Sequence, residues 1–267
     1  MSLLHDHLAL EHRGAGVYVR DTDRTWWGHE AQFGGYVEAL AITAMRTELD
    51  TPEMAPVTTG IQFFRPFVDG ELRVEVTIER RGRTMANASA RLYSQGKLAG
   101  QAVAAFGVRR ARAEFLIAEP PRELRDAPLA AEEPETPSRL GIPTPAHFQF
   151  FPRIGGFRIG SGGGAEVGGW VRPRFSTPVD EALLVMLQDM WLPAAYHHWP
   201  TATVAVSADI TTQFRAALPL DPRVADAGLF VVLRTAGSLG GFVDEDAEIW
   251  SATGELLAQG RQLRYVH

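Results

Sequence analysis

Hydrophobic and polar positions along the chain fall into one order of elements that occurs twice. In the first half an extended piece, GVYVRDT and then TWWGHEAQ, leads to GGYVEALAITAMRTEL, where small and apolar residues cover most of a helical circumference. Strand-like runs follow: PVTTGIQFFRPF, ELRVEVTIERRG, RTMANASARLYSQ and KLAGQAVAAFGVRR. Turn signals such as Val68-Asp69-Gly70 and Gln95-Gly96-Lys97 separate them. In the second half AEVGGWVRP is extended and EALLVMLQDMWLPAAY is helical. TVAVSADITTQFRAALP, AGLFVVLRTAG, GFVDEDAEIWSATG and ELLAQGRQLRYVH then read as strands. IQFFRP matches TTQFRA, and SQGKLAGQ matches ATGELLAQ, so the same landmarks stand at corresponding places. An apolar helix followed by a long antiparallel meander suits a sheet that wraps around the helix. That helix is greasy on every side for this reason.

Between the halves lies AEFLIAEPPRELRDAPLAAEEPETPSRLGIPTPA, residues 113–146, acidic, proline-rich and weakly periodic, which reads as a long surface connection. The expected organisation is therefore a first domain over 1–112, a linker over 113–146 and a second domain over 147–267. The expected class is α+β.

One residue breaks the pattern of the second helix. A helix opened by Asp180 and Glu181 and closed before Pro193 would carry Asp189 within an apolar segment. Ala182, Val185 and Met186 share its face. A buried carboxylate is costly unless it is hydrogen-bonded or charge-paired, so Asp189 is either satisfied structurally or retained for chemistry. Along the last strand Leu256, Ala258, Gly260 and Gln262 share a face, and Gln262 is its polar exception. The matching position of the first repeat is Ala104.

Composition narrows the classes. The 267 residues are 45% hydrophobic and 22% charged, enough for a sizeable core, and the net charge of −6 gives no reason to expect a nucleic-acid partner. The absence of cysteine excludes disulfides, thiolate nucleophiles and cysteine-based metal sites. MSLLHDHLALEHRG is too charged for a secretory signal, and no apolar run reaches membrane-spanning length, so a cytoplasmic protein without a membrane partner is expected. GSGGG, Gly160–Gly164, lacks the GK[ST] ending of a phosphate loop, and no G-x-S-x-G elbow occurs. His197 and His198 are expected at the surface, and Trp26, Trp27 and Trp191 in packing.

The landmarks together resemble the double-hotdog acyl-CoA thioesterases, the thioesterase II family. FGGYVEALAITA (Phe33–Ala44) is similar to the opening of that family's first hotdog, and IQFFRPF (Ile61–Phe67) to its strand ending in F-x-R-P. QDMWLPAA (Gln188–Ala195) is similar to the segment with its catalytic Asp, and LLAQGRQLR (Leu256–Arg264) to the strand with its catalytic Gln. The resemblance implies a tandem double hotdog, two antiparallel sheets each wrapping a central helix and joined into one continuous sheet. It implies an acyl-CoA substrate, no cofactor or metal, and a homo-oligomer. It also implies catalytic roles for Asp189, Gln262 and Ser207, the last at the family's Thr/Ser position, where the first repeat has Val57. Thr211 and Thr212 lie near enough to exchange with Ser207 through a small register error. The chemistry suits these types: a carboxylate can take the proton of an attacking water, while a hydroxyl and an amide hold that water. Backbone N–H groups at a helix N-terminus suit an oxyanion.

Glu38, the carboxylate within the first helix, and His29, just before it, are weaker candidates, better read as structural. Arg65, Arg83, Arg172 and Arg174 are candidates for CoA phosphates by charge alone. Two other functions fit the same fold: a non-catalytic acyl-CoA or lipid carrier, and an enoyl-CoA hydratase. The hydratase is disfavoured because no convincing Asp/His loop is present.

Overall fold

The computed structural model describes residues 3–110, 114–135, 141–201 and 204–266. The first half runs α1 (Leu3–Leu8), β1 (Glu11–Gly14), β2 (Val17–Thr22), α2 (Gly34–Leu49), β3 (Ala55–Phe63), β4 (Gly70–Arg81), β5 (Met85–Ser94) and β6 (Lys97–Gly107). The second runs β7 (Phe148–Ile154), β8 (Glu166–Pro173), α3 (Glu181–Gln188), β9 (Ala205–Phe214) and α4 (Pro222–Ala227). It continues with β10 (Leu229–Arg234), β11 (Ser238–Leu239), β12 (Phe242–Ser251) and β13 (Leu256–Val266).

Alternation in the strands sets their inner face. Leu72, Val74 and Val76 of β4, Ala86, Ala88, Ala90 and Leu92 of β5, and Ala102, Ala104 and Phe106 of β6 are buried. The run of alanines leaves room for α2, which is buried over most of its circumference. Gln95 and Gly96, both at positive φ (49° and 74°), close the β5–β6 hairpin in the backbone conformation that suits strand twist.

The sheet order is β1-β2-β4-β5-β6-β3-β9-β13-β12-β10-β8-β7, with β11 paired to β12. Every pairing is antiparallel. The halves meet at β3 and β9, from Thr58 opposite Gln213 to Gln62 opposite Asp209, so the two wrapped sheets become one. This is the hot dog fold in tandem. On the inner side α2 and α3 touch closely: a Cβ on Gly35 would come within 2.8 Å of the Val185 carbonyl and the Met186 Cα.

Several expectations need correction. The second helix ends at Gln188, so Asp189 sits at its C-cap (φ −100°, ψ 0°) and not inside it. Met190–Pro193 leave the helix, and a short 3₁₀ turn over Ala194–His197 follows. Leu256 does not share the inner face with Ala258. The β12–β13 register shifts between Ile249 and Trp250, and Leu256 packs with Trp250, Trp170, Phe151 and Phe230 in a second cluster on the other side. His197 is buried, its Nε2 3.0 Å from the Gly156 carbonyl, because the glycine-rich segment folds over its ring. His198 is exposed as expected. The connection between β6 and β7 is held down over part of its length. Arg153 pairs with Glu132 at 2.8 Å, the Trp170 indole donates to the Asp126 carbonyl at 2.9 Å, and Leu124 packs on the second cluster.

Candidate active site

The C-cap position of Asp189 follows from local sequence. Asp180 caps the start of α3 by accepting the Leu183 N–H at 2.9 Å, and the segment toward Pro193 then leaves the helix. Asp189 thus projects toward the N-terminus of α2, contributed by the other half. The N–H of Gly35 donates to its Oδ2 at 3.0 Å. Glycine leaves room for this arrangement, since a Cβ on Gly34 would lie 2.9 Å from that oxygen and 3.4 Å from the Ser207 hydroxyl.

Ser207 reaches the site through a register shift. Leu263 of β13 faces Asp209 of β9, but Arg264 faces Ser207, so Ala208 is an extra residue on β9. Without it Ser207, three residues from inward-facing Ile210, would fall on the outer face. Gln262 faces Ile210 and is likewise inward. Its Nε2 donates to Asp189 Oδ1 at 3.0 Å and, in a short contact, to Ser207 Oγ. Asp189, Ser207 and Gln262 therefore form one connected cluster. The amide holds the carboxylate and the hydroxyl, where the expectation was that it would hold water directly. Thr212 and Thr211 stand elsewhere: Thr212 is fully buried toward Glu38, and Thr211 is exposed.

Two further members of the cluster escaped the sequence reading. Arg264 Nη2 lies 2.8 Å from Asp189 Oδ1, 2.9 Å from Gln262 Oε1 and 3.0 Å from Glu245 Oε1. Both Arg264 and Glu245 are buried. Burial opposes the charge of Arg264, but Glu245 and Asp189 outweigh it and hold the guanidinium above its ordinary value. Burial raises the Glu245 carboxyl, and Arg264 opposes this only in part. The available signal was parity: Arg264 shares a face with Gln262, and Glu245 stands directly opposite Gln262 on β12.

Glu38 is fully buried on α2, and neither of its oxygens has a well-formed hydrogen-bond partner. Burial and then the charge of Asp189 push its carboxyl well above the usual range, with only slight relief from Thr212. It does not line the cavity.

That cavity, of about 470 Å³, has Asp189, Ser207, Gly34 and Arg264 in its wall, with Phe33, Phe63, Phe67, Met190, Trp191 and Leu192 giving it an apolar lining. Among the described residues the Gly34 N–H has no hydrogen-bond partner, although Gly35, Tyr36 and Val37 each donate. His29 and Arg65 also line the cavity, while Arg83, Arg172 and Arg174 do not. The latter two donate to the Ala227 and Phe148 carbonyls. Trp27 donates to Asp69 at 2.5 Å, and Trp26 is buried. Among the described residues no group of three or more His, Asp or Glu could hold a metal ion. No helix among them is long and apolar enough to cross a membrane.

Comparison with known proteins agrees with this architecture. The family model described as the acyl-CoA thioesterase N-terminal domain matches residues 23–110, and that of the acyl-CoA thioesterase C-terminal domain matches residues 121–266. The chain belongs to the acyl-CoA thioesterase family, in its two-domain form. No curated protein matches it. Among solved structures, a hot dog-fold protein from Alicyclobacillus acidocaldarius is 24% identical with a TM-score of 0.78, over 99% of this chain and 97% of that one. The tesB protein of Mycobacterium avium subs paratuberculosis is 20% identical with a TM-score of 0.76, covering 99% and 98%. An acyl-CoA thioesterase II from Mycobacterium marinum is 18% identical with a TM-score of 0.76, covering 99% and 96%. At these identities the likeness is one of fold.

Proposed function

We propose that this protein hydrolyses acyl-CoA to a free fatty acid and CoA through a water activated by Asp189. The observation that carries this reading is the meeting of Asp189 and Ser207, joined by Gln262, at an apolar cavity beside the N-terminus of α2. Asp189 accepts three hydrogen bonds, two on Oδ1 and one on Oδ2, which leaves a lone-pair position on Oδ2 for water. Ser207 Oγ already accepts from Gln262, so its own proton is free to donate to the water oxygen. Held this way, the water directs its remaining lone pair at the thioester carbonyl carbon.

As the new C–O bond forms, the water proton passes to Asp189 and the carbonyl oxygen becomes an oxyanion. The unpaired N–H of Gly34, at the positive end of the α2 dipole, suits that charge. The C–S bond then breaks, and the leaving thiolate takes the proton from Asp189. The carboxylate is restored, and the products are the acid and the CoA thiol. The apolar lining suits an acyl chain, and Arg65 at the cavity suits a phosphate of CoA. We further propose domains at 1–112 and 147–267 joined by a linker at 113–146, on the repeat pattern; a homo-oligomer, on the family; and a cytoplasmic setting, on the charged N-terminal stretch and the absence of a membrane-length apolar run.

Thiol release across a panel of acyl-CoAs, run beside hydration of an enoyl-CoA, tests the reading. Thiol release without hydration is expected. Hydration alone would make the protein a hydratase, and binding with neither activity would make it a carrier.

A further inference from the structure

Two further carboxyl groups lie near Asp189 at the site, from two other elements: Glu38 on α2 and Glu245 on β12. The groups that face Asp189 are Glu38 from α2, Ser207 from β9, Glu245 from β12, and Gln262 and Arg264 from β13. Tyr196 stands beyond α3, and His29, Glu30 and Arg65 stand in the cavity wall. Arg264 is the one cation in direct contact with Asp189 among the described residues. Its Nη2 is shared by Asp189, Glu245 and the Gln262 carbonyl oxygen at 2.8–3.0 Å.

Two consequences follow from that placement. An amide has a donor end and an acceptor end, and with its Oε1 on Arg264 the Gln262 side chain must turn Nε2 toward Asp189 and Ser207. Arg264 Nη2, 2.8 Å from Oδ1, also holds the Asp189 carboxylate in one orientation. Glu245, on that nitrogen too, holds the guanidinium in place.

We propose that Arg264, seated on Glu245, is a positioning residue of this site. It fixes the direction of the Gln262 amide and the orientation of the Asp189 carboxylate. The proposal rests on the thioesterase reading, and it assigns Arg264 no contact with substrate.

The test is kcat and KM for thiol release, with the melting temperature measured on the same proteins. The double variant Arg264→Gln/Glu245→Gln removes both charges, so no buried ion is left alone. Its kcat should fall about tenfold or more while KM stays within a few-fold. Arg264→Lys keeps the charge without the planar fork, and should recover kcat only in part. A folded double variant with kcat and KM both near those of the parent would overturn the proposal. So would loss of folding in the double variant together with parental kcat in Arg264→Lys. Asp189→Asn is run in parallel: if it is inactive and the Arg264 variants keep parental kcat, only this proposal fails, whereas if it remains active the thioesterase reading fails.

Discussion

Glu38 illustrates at the scale of one residue how a carboxyl can lie beside the site without entering it. It is sealed from the cavity, and burial and Asp189 together favour its neutral form. A carboxyl whose folded value is raised binds its proton more tightly in the folded state. Stability should therefore fall as pH rises from the ordinary value of 4.5 through the raised one. Glu38→Gln removes that dependence. The variant should be at least as stable as the parent at alkaline pH, with turnover within a few-fold, which melting curves and thiol release across pH would show. A loss of about a hundredfold or more would instead make Glu38 an acid or base of the reaction. Asp189 and Gln262 stood out in sequence as polar residues among apolar or small neighbours, although Asp189 follows the helix and Gln262 shares its face with Arg264. Arg264 and Glu245 did not, because LRYVH and VDEDAE read as ordinary charged strand ends until the pairing places both inward. Ser207 needed the family resemblance, since the extra residue Ala208 that turns it inward leaves no mark in the alternation.

At the scale of elements the important junction is where the start of α2 meets the end of α3. Gly35 lets two backbones approach so closely that a side chain has no room, and Gly34 leaves space for the Asp189 side chain. Gly35→Ala would press a methyl group against the Val185 carbonyl and the Met186 Cα, which are backbone atoms and cannot step aside. It should destabilise by about 1–3 kcal/mol, the usual cost of overpacking, read from denaturant unfolding. Gly34→Ala meets the Asp189 side chain instead, so its larger effect should be on kcat, about tenfold or more, with a smaller loss of stability. Equal stability losses with unchanged kcat would contradict this division. The sixteen-residue α2 was legible residue for residue, because small and apolar positions cover most of its circumference from Gly34 to Leu49. The end of α3 was not, since Met190, Trp191 and Leu192 continue the apolar pattern after the helix has stopped. Strand β7 also went unread, as FQFFPRI adjoins a proline-rich stretch and contains a proline itself. Helices α1 and α4, six residues each, are too short to show a period.

Over the whole molecule, the β3–β9 seam and the contact between α2 and α3 make the two halves one structure. Thermal unfolding should therefore be a single transition, with tryptophan fluorescence, far-ultraviolet dichroism and enzymatic activity lost together. Two resolved transitions would mean that the halves are stable independently. The doubled order of helix and meander was legible from IQFFRP against TTQFRA, whereas the sharing of the site between halves was not. The α2 N-terminus comes from the first repeat, and Asp189, Ser207 and Gln262 come from the second. The measurement that tests the account most directly is therefore made on the full chain, as kcat and KM for Asp189→Asn with its melting temperature. The asparagine keeps the shape of the side chain and cannot accept the proton. If Asp189 activates the water, the variant folds with kcat reduced about a hundredfold or more and KM little changed. A folded Asp189→Asn variant that releases thiol at near the parental rate would contradict it.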